Sequence, residues 1–195
     1  MLNIIALVGS PRKNKNNDSL VNNMLKGIQD TCHNEIHMEK LYIRDLDIKP
    51  CMACAACARK AGCIIEDDMS QIYDKFNRAD IVIISSPLYF NSISGALKTL
   101  VDRNQAIWSS KYILNQPIID RQKKRLGYFI CTAGMPESED LFDATLPIMD
   151  LFFKSINTQW VGNLFIGDMD RKPIINNREL LKEAYDIGSW LAKNI

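Results

Sequence analysis

Four of the six cysteines fall within thirteen residues, Cys51, Cys54, Cys57 and Cys63, in the spacing C-x2-C-x2-C-x5-C. The residues between them are mostly small. Ala53, Ala55, Ala56 and Gly62 let the backbone wrap closely while four sulfurs converge. Thiolates in a reducing compartment are soft ligands suited to an iron–sulfur cluster or to zinc. Structural zinc more often uses two C-x2-C knuckles separated by a longer insert, so the compact arrangement leans towards a cluster. Three readings stay open: a cluster, zinc, and metal-free reduced thiols.

A second stretch has the makings of an anion site. The run Asn3-Ile4-Ile5-Ala6-Leu7-Val8 shows no alternation, as expected of a strand buried on both faces. It stops at Gly9-Ser10-Pro11-Arg12-Lys13 and is followed by a polar loop and an amphipathic helix from about Ser19. A helix start offers free backbone N–H groups and its positive dipole end. Arg12 adds a planar fork suited to phosphate. The spacing is neither G-x-x-x-x-G-K-[ST] nor G-x-G-x-x-G, so neither a triphosphate P-loop nor a dinucleotide fingerprint is present.

A third stretch, Ser86-Pro87-Leu88-Tyr89-Phe90-Asn91-Ser92, leaves the strand Ala79–Ser85. Pro87 holds the backbone out of a helix. Tyr89 and Phe90 are suited to lie against a flat aromatic ligand, with Asn91 and Ser92 donating to its polar edge. The plainer alternative is that one ring, Phe90 in particular, packs under the loop. Asp67-Asp68 read as helix-capping carboxylates rather than an acid–base pair. His33 and His37 have no patterned ligand partner and read as surface residues. Cys32 and Cys131 read as core or near-core thiols.

The elements that position these stretches alternate. Strands are expected at Asn3–Val8, Ile36–Ile43, Ala79–Ser85, Leu126–Cys131 and Thr158–Ile166. Helices are expected at Ser19–Cys32, Asp67–Asn77, Gly95–Ala106, Glu137–Ser155 (bent by Pro147) and Asn177–Asn194. Trp108, Tyr112 and Ile113 fall in a long irregular stretch, where exposed aromatics suit a subunit contact or a pocket wall. Arg121, Lys123, Lys124 and Arg125 read as a solvated basic linker, with attraction for the extra phosphate of NADPH as the weaker option. Five strands alternating with five helices make an α/β protein with a parallel sheet covered on both faces. Its ligands belong at the carboxyl ends of the strands, where the strand order reverses.

Length suits one domain, residues 1–195, with a cysteine-rich insert loop at about 49–66. The sequence is 47% hydrophobic and 24% charged, with a net charge of +1. That balance gives no reason to expect nucleic acid or an anionic membrane as partner. No apolar run approaches the roughly 18 residues of a membrane span, and no secretory signal pattern opens the chain. A cytoplasmic location follows as the default expectation.

Gly9-Ser10-Pro11-Arg12-Lys13 and Asn16 resemble the phosphate loop of the flavodoxin-like NAD(P)H-dependent FMN reductases and their relatives, the iron–sulfur flavoproteins. In that family Gly-Asn-Ser or Gly-Asn-Thr follows the first motif; here Lys15 and Asn17 replace the glycine and the hydroxyl residue. The passage from Asp67 to Arg103 is similar to the family almost throughout, and within it Ser86 to Asn91 resemble the loop that wraps the isoalloxazine ring. The cysteine spacing resembles the 4Fe-4S motif of the iron–sulfur flavoproteins, and its first three members the opening of a bacterial ferredoxin run. Many flavin reductases of this superfamily keep some of these cysteines without metal. The resemblance implies a flavodoxin-like three-layer sandwich of strand order 2-1-3-4-5. It implies FMN held by Ser10, Arg12, Lys13, Asn16 and Asn17 at the phosphate, and by Ser86, Pro87, Leu88, Tyr89, Phe90 and Asn91 at the ring. Thr132, Ala133 and Gly134 would touch the pyrimidine edge. It also implies a homodimer or homotetramer.

No residue stands out as an obligatory acid or base, so the flavin carries the chemistry. With a cluster the protein moves single electrons, for example from a ferredoxin-like donor. Without one, NAD(P)H reduces a small acceptor such as a quinone, a nitro compound or free flavin. A reading from another class is a non-catalytic module that holds flavin loosely and uses Cys51 to Cys63 for structural zinc or redox sensing.

Overall fold

The structure, a computed structural model, describes all of residues 1–195. Strands β1 (Leu2–Val8), β2 (Ile36–Tyr42), β3 (Ile81–Pro87), β4 (Leu126–Thr132) and β5 (Gln159–Ile166) form one sheet. The order is β2-β1-β3-β4-β5 and every pairing is parallel, as the sequence leads one to expect. β2 is an edge strand, which explains its imperfect alternation.

Six helices cover the sheet: α1 (Asn16–Thr31), α2 (Met69–Arg78), α3 (Gly95–Arg103), α4 (Gln105–Tyr112), α5 (Leu146–Ser155) and α6 (Arg178–Asn194). The unbroken apolar run of β1 is divided between two cores. Ile4, Ala6 and Val8 join Leu20, Met24 and Ile28 of α1 and Ala184 and Leu191 of α6. Ile5 and Leu7 face the other way, onto Ile72 and Phe76 of α2, Leu97 and Leu100 of α3 and Phe152 of α5. Each face of a central strand is thus buried, and period-2 polarity has no reason to appear. α1 and α6 touch backbone to backbone. A Cβ on Gly188 would lie 1.9 Å from the Met24 carbonyl oxygen, and one on Gly27 would lie 2.0 Å from that of Tyr185. Only glycine permits that approach.

Four expectations need correction. α1 begins at Asn16, three residues before the expected start, so Asp18 lies inside its first turn rather than at its cap. The stretch holding Trp108 and Tyr112 is helical, α4, and follows α3 after a break at Asn104. α5 begins only at Leu146, after a single 3-10 turn at Asp143–Thr145. Pro147 therefore sits in the first turn, where its missing N–H costs nothing, and bends no helix. The fourth concerns Arg125, which is no part of a solvated linker. It is buried and donates to the carbonyls of Phe76 (3.1 Å), Asn77 (2.8 Å) and Asp120 (2.8 Å), tying the end of α2 to the approach to β4.

Candidate functional site

Two cavities contain the chemistry-bearing residues, and they share none of their lining. The first lies at the carboxyl edge of the sheet, between the β1, β3 and β4 loops. It encloses about 40 Å³ and is lined by Ser10, Arg12, Asn16, Asn17, Pro87, Leu88, Tyr89, Thr132, Ala133 and Gly134 among the expected residues. Lys15, Met169 and Asp170 complete it. The last two come from the turn after β5, whose Met169 N–H donates to the Ala133 carbonyl at 3.0 Å. Sequence reading passes over that turn, because nothing local marks it as returning to the sheet edge.

The loops are locked to one another. Gly9 N–H donates to Ser85 O at 2.7 Å, and Ser94 Oγ donates to Gly9 O at 2.8 Å. A Cβ on Gly9 would sit 2.9 Å from Ser85 O, so the β1 loop needs glycine to meet the β3 loop. α1 starts without a side-chain cap. Its first N–H groups therefore remain available to an anion. Asn17 is buried and donates from Nδ2 to Thr132 Oγ1 at 2.7 Å, while its Oδ1 has no partner. A buried amide oxygen without a partner is costly. Rotating the amide lets the Thr132 hydroxyl donate instead and turns the NH2 towards an acceptor. A phosphate is such an acceptor, and a ligand hydroxyl would satisfy the unrotated form. The residues present fit FMN's polar end.

Asp18 braces this loop from behind. It is fully buried and accepts from Lys40 Nζ (2.8 Å), Tyr42 Oη (2.8 Å) and Asn14 N–H (2.7 Å). Burial pushes its pKa up, but the bonds from Lys40, Asn14 and Tyr42 outweigh this and hold it below the usual carboxylate value. Asn14 is kept in the left-handed region, φ 56°.

Lys13, Ser86, Phe90 and Asn91 do not line this cavity. Lys13 pairs with Asp45 at 2.5 Å and lies over the Tyr42 ring. Ser86 is buried, and its Oγ accepts from Ser94 N–H at 2.9 Å, which shapes the loop. Phe90 and Asn91 occupy the two central positions of a tight turn, φ 48° and 57°, closed by paired Tyr89–Ser92 backbone bonds of 2.9 and 3.0 Å. Phe90 does not pack under the loop: it is fully exposed, and Tyr89 is half exposed. An aromatic residue at positive φ is strained by about 1 kcal/mol, and an exposed ring recovers none of that through packing. The turn presents a flat apolar surface beside the anion cavity.

The second cavity, about 520 Å³, is lined by all four cysteines, Cys51, Cys54, Cys57 and Cys63, with Arg103 from α3 and Ser109 from α4 among the other walls. Ala53 (φ 51°), Ala55 (φ 56°) and Gly62 (φ 101°) curl the loop through left-handed positions. Cys57 Sγ lies 3.5 Å from Ser109 Oγ. No three of these thiols, and no other set of three His, Cys, Asp or Glu residues, gather as a single metal ion requires. The four thiols share the lining of this one cavity, Cys51 and Cys54 at its exposed side and Cys57 and Cys63 half-buried.

Asp67 and Arg103 close the neck of this loop, and their pairing is absent from the sequence reading. Both are fully buried. Arg103 Nη2 donates to Asp67 Oδ1 at 3.1 Å, Nη1 to Asp67 Oδ2, and Nη1 also to Lys49 O at 2.7 Å. Asp67 also accepts from the Lys49 and Met69 N–H groups at 2.9 and 3.0 Å, so it caps α2 alongside an unforeseen role, whereas Asp68 makes no capping bond and accepts instead from Asp47 N–H at 2.8 Å. Burial disfavours the charge on Arg103, but Asp67, then Cys63 and Tyr73, hold its pKa above the usual arginine value. Cys131 is buried outside the loop, with its thiol pushed up to about 12 by desolvation, and takes no part.

Residues 2–138, most of the chain, match the NADPH-dependent FMN reductase family. The chain belongs to that family. Among curated relatives, an iron-sulfur flavoprotein of Methanosarcina thermophila is 29% identical over 117 residues, covering 60% of each chain. One of Methanocaldococcus jannaschii is 34% identical over 106 residues, covering 54% of this chain and 53% of that one. The matched stretch thus spans 53–60% of these two relatives. Among solved structures, an NAD(P)H:quinone oxidoreductase from Methanothermobacter marburgensis superposes with a TM-score of 0.74 at 17% identity, covering 97% of this chain and 96% of that one. An FMN-dependent NADH-azoreductase from Bacillus anthracis, in complex with FMN, superposes at 0.68 with 14% identity, covering 97% and 99%. At such identities these two likenesses establish the flavodoxin-like fold. No helix of this member of the FMN reductase family is long and apolar enough to cross a membrane.

Proposed function

We propose that this chain is an FMN-dependent oxidoreductase that moves electrons from NAD(P)H or a ferredoxin-like donor, through flavin, to a small acceptor or a protein partner. The observation that carries the flavin half is the convergence of Ser10, Asn17 and Thr132 on the uncapped start of α1, with Asn17 Oδ1 left without a partner. FMN, when bound, would supply the hydride and single-electron chemistry. The chain's own residues bind and orient. Ser10, Arg12, Asn16 and Asn17 take the phosphate, although Asn16 has its Oδ1 already engaged by Ile174 N–H at 3.1 Å and offers only its NH2. Pro87, Leu88 and Tyr89 wall the ring side, and exposed Phe90 covers it from the turn. Thr132 orients Asn17 from the end of β4.

The cysteine cavity carries the second half. Cys51, Cys54, Cys57 and Cys63 would hold a 4Fe-4S cluster, a reading favoured by their sharing of one cavity and by the iron-sulfur names of the relatives. α3, capped by Ser94 beside the ring loop, ends at Arg103 in that cavity, so its nine residues, roughly 13 Å at 1.5 Å each, set the scale between the two sites. A metal-free NAD(P)H reductase is the second reading, favoured by the match to the NADPH-dependent FMN reductase family. A homodimer or homotetramer is part of the proposal, supported by the exposed apolar side chains of Trp108, Tyr112, Ile113 and Leu151.

Iron, sulfide and flavin analysis of protein purified without oxygen tests the two cofactor readings. About four irons and one FMN per chain support the cluster reading. FMN without iron moves the function to the metal-free reductase. Failure to bind added FMN refutes the central proposal.

A further inference from the structure

The neck of the cysteine loop contains a charge that the capping and ligand roles leave unexplained. Arg103 is 1% exposed and lines the same cavity as the four cysteines, whereas its partner Asp67 does not. Of the buried pair only the positive member reaches the cavity; Asp102, which also lines it, is half exposed and paired with Lys98 at 2.6 Å. Arg103 Nε is buried and has no hydrogen-bond partner. Leaving a buried guanidinium N–H unpaired is costly, and an electron-rich sulfur in the cavity would satisfy it. Arg103 is also the last residue of α3. α4 starts at Gln105 beside it, so the opposed ends of the two helix dipoles meet here and the guanidinium is the net fixed charge they leave. Tyr73 Oη donates to the Arg103 carbonyl at 2.7 Å and anchors that residue's backbone, while the Lys49 carbonyl and Asp67 fix where the guanidinium stands.

We propose that Arg103 is a positioning residue for the cysteine-ligated group: it latches the loop shut and sets the group's reduction equilibrium by presenting a buried positive charge to its sulfurs. The inference rests on the cluster reading above. A residue serving as a latch alone would affect retention of iron but not the energy of the added electron. The two residues of the pair then have opposite effects on that energy. Removing the cation leaves Asp67 uncompensated and disfavours reduction. Neutralising Asp67 leaves Arg103 uncompensated and favours it.

The test uses the full chain, reconstituted anaerobically with ferrous iron and sulfide, as wild type, Arg103→Gln and Asp67→Asn. Potentials are read by dye-mediated titration, iron loss by transfer to a chelator, and FMN content as a control, since the anion cavity shares no residue with this one. Arg103→Gln is expected to lower the reduction equilibrium constant at least tenfold, 59 mV for one electron, and Asp67→Asn to raise it. Both are expected to keep FMN. Should Arg103→Gln fail to fold, Asp67→Asn decides by its sign alone, because Asn keeps the shape of Asp. Wild type that takes up no iron overturns the cluster reading and this inference together. Wild type that binds the cluster, with both variants at its potential or shifted the same way, overturns the role of Arg103 and leaves the cluster reading standing.

Discussion

Asp18→Ala separates two views of the phosphate loop. As a bare negative charge near an anion site, Asp18 would oppose FMN, and its removal would tighten binding. As a brace, its removal would loosen Asn14 and weaken binding. Lys40 lies 2.8 Å from the carboxylate and largely cancels its field, so the first effect is small. The second is not. Asn14 is held at φ 56° by the Asp18 bond, and refixing one freed residue costs about 1–2 kcal/mol, weakening FMN roughly 5- to 30-fold. The fold also loses a buried acceptor of three donors. Complete burial of the pair would put the loss at about 3–5 kcal/mol. The Lys40 side chain is 24% exposed and keeps Asn22 Oδ1 at 2.6 Å, which lowers the expected loss to about 2–3 kcal/mol. For a chain of this size that is a fall in Tm of roughly 5–10 °C. The pH dependence has a definite sign. The folded-state pKa of Asp18 is depressed, so its contribution is present above the unfolded carboxylate value near 4 and disappears as pH falls through the lower, folded value. The variant's deficit should be full at pH 7 and shrink below about pH 4. Denaturant melts across pH and a fluorescence titration with FMN check both halves. Unchanged or tighter FMN binding would refute the bracing argument.

Phe90→Gly relieves a left-handed residue that packs on nothing; it should raise stability by about 1 kcal/mol in thermal melts while weakening FMN. A loss of stability instead would mean the ring is packed. Gly188→Ala forces a Cβ onto the Met24 carbonyl and should cost about 2–3 kcal/mol or more in urea titrations, because both partners are backbone; a loss below 0.5 kcal/mol would mean the helices part easily. Cys57→Ser should cut bound iron while leaving FMN stoichiometry intact, as the two cavities share no residue; loss of both together would show them to be coupled. Arg125→Met frees the carbonyls of Phe76 and Asn77 at the end of α2 and of Asp120 before β4 and should destabilise the chain by roughly 3 kcal/mol without changing FMN affinity.

What the sequence reveals and what it hides follow from the range of the interaction. The strands β1 and β3 are legible because double burial makes their apolar runs continuous, and the strand–loop–helix junctions at Gly9 and Ser86 are legible because glycine and proline punctuate locally. The strand order then places both junctions at one sheet edge without any knowledge of side chains. The irregular-looking stretch after Asn104 hides α4 because its apolar residues serve two masters: Ile107 enters the core while Trp108 and Tyr112 stay exposed. The buried charges are harder still. Asp67 finds Arg103 36 residues away, Asp18 finds Lys40 22 away, and Lys111 donates to the carbonyls of Lys154 and Ser155 more than 40 away. Each side chain has an ordinary local meaning as cap, helix surface or linker, so the local pattern gives no reason to bury it. Pairing decides, and pairing is a property of the assembled fold. For that reason the loops that would hold cofactor could be named from sequence, while Asp18 and Arg103, the residues that hold those loops in place, could not.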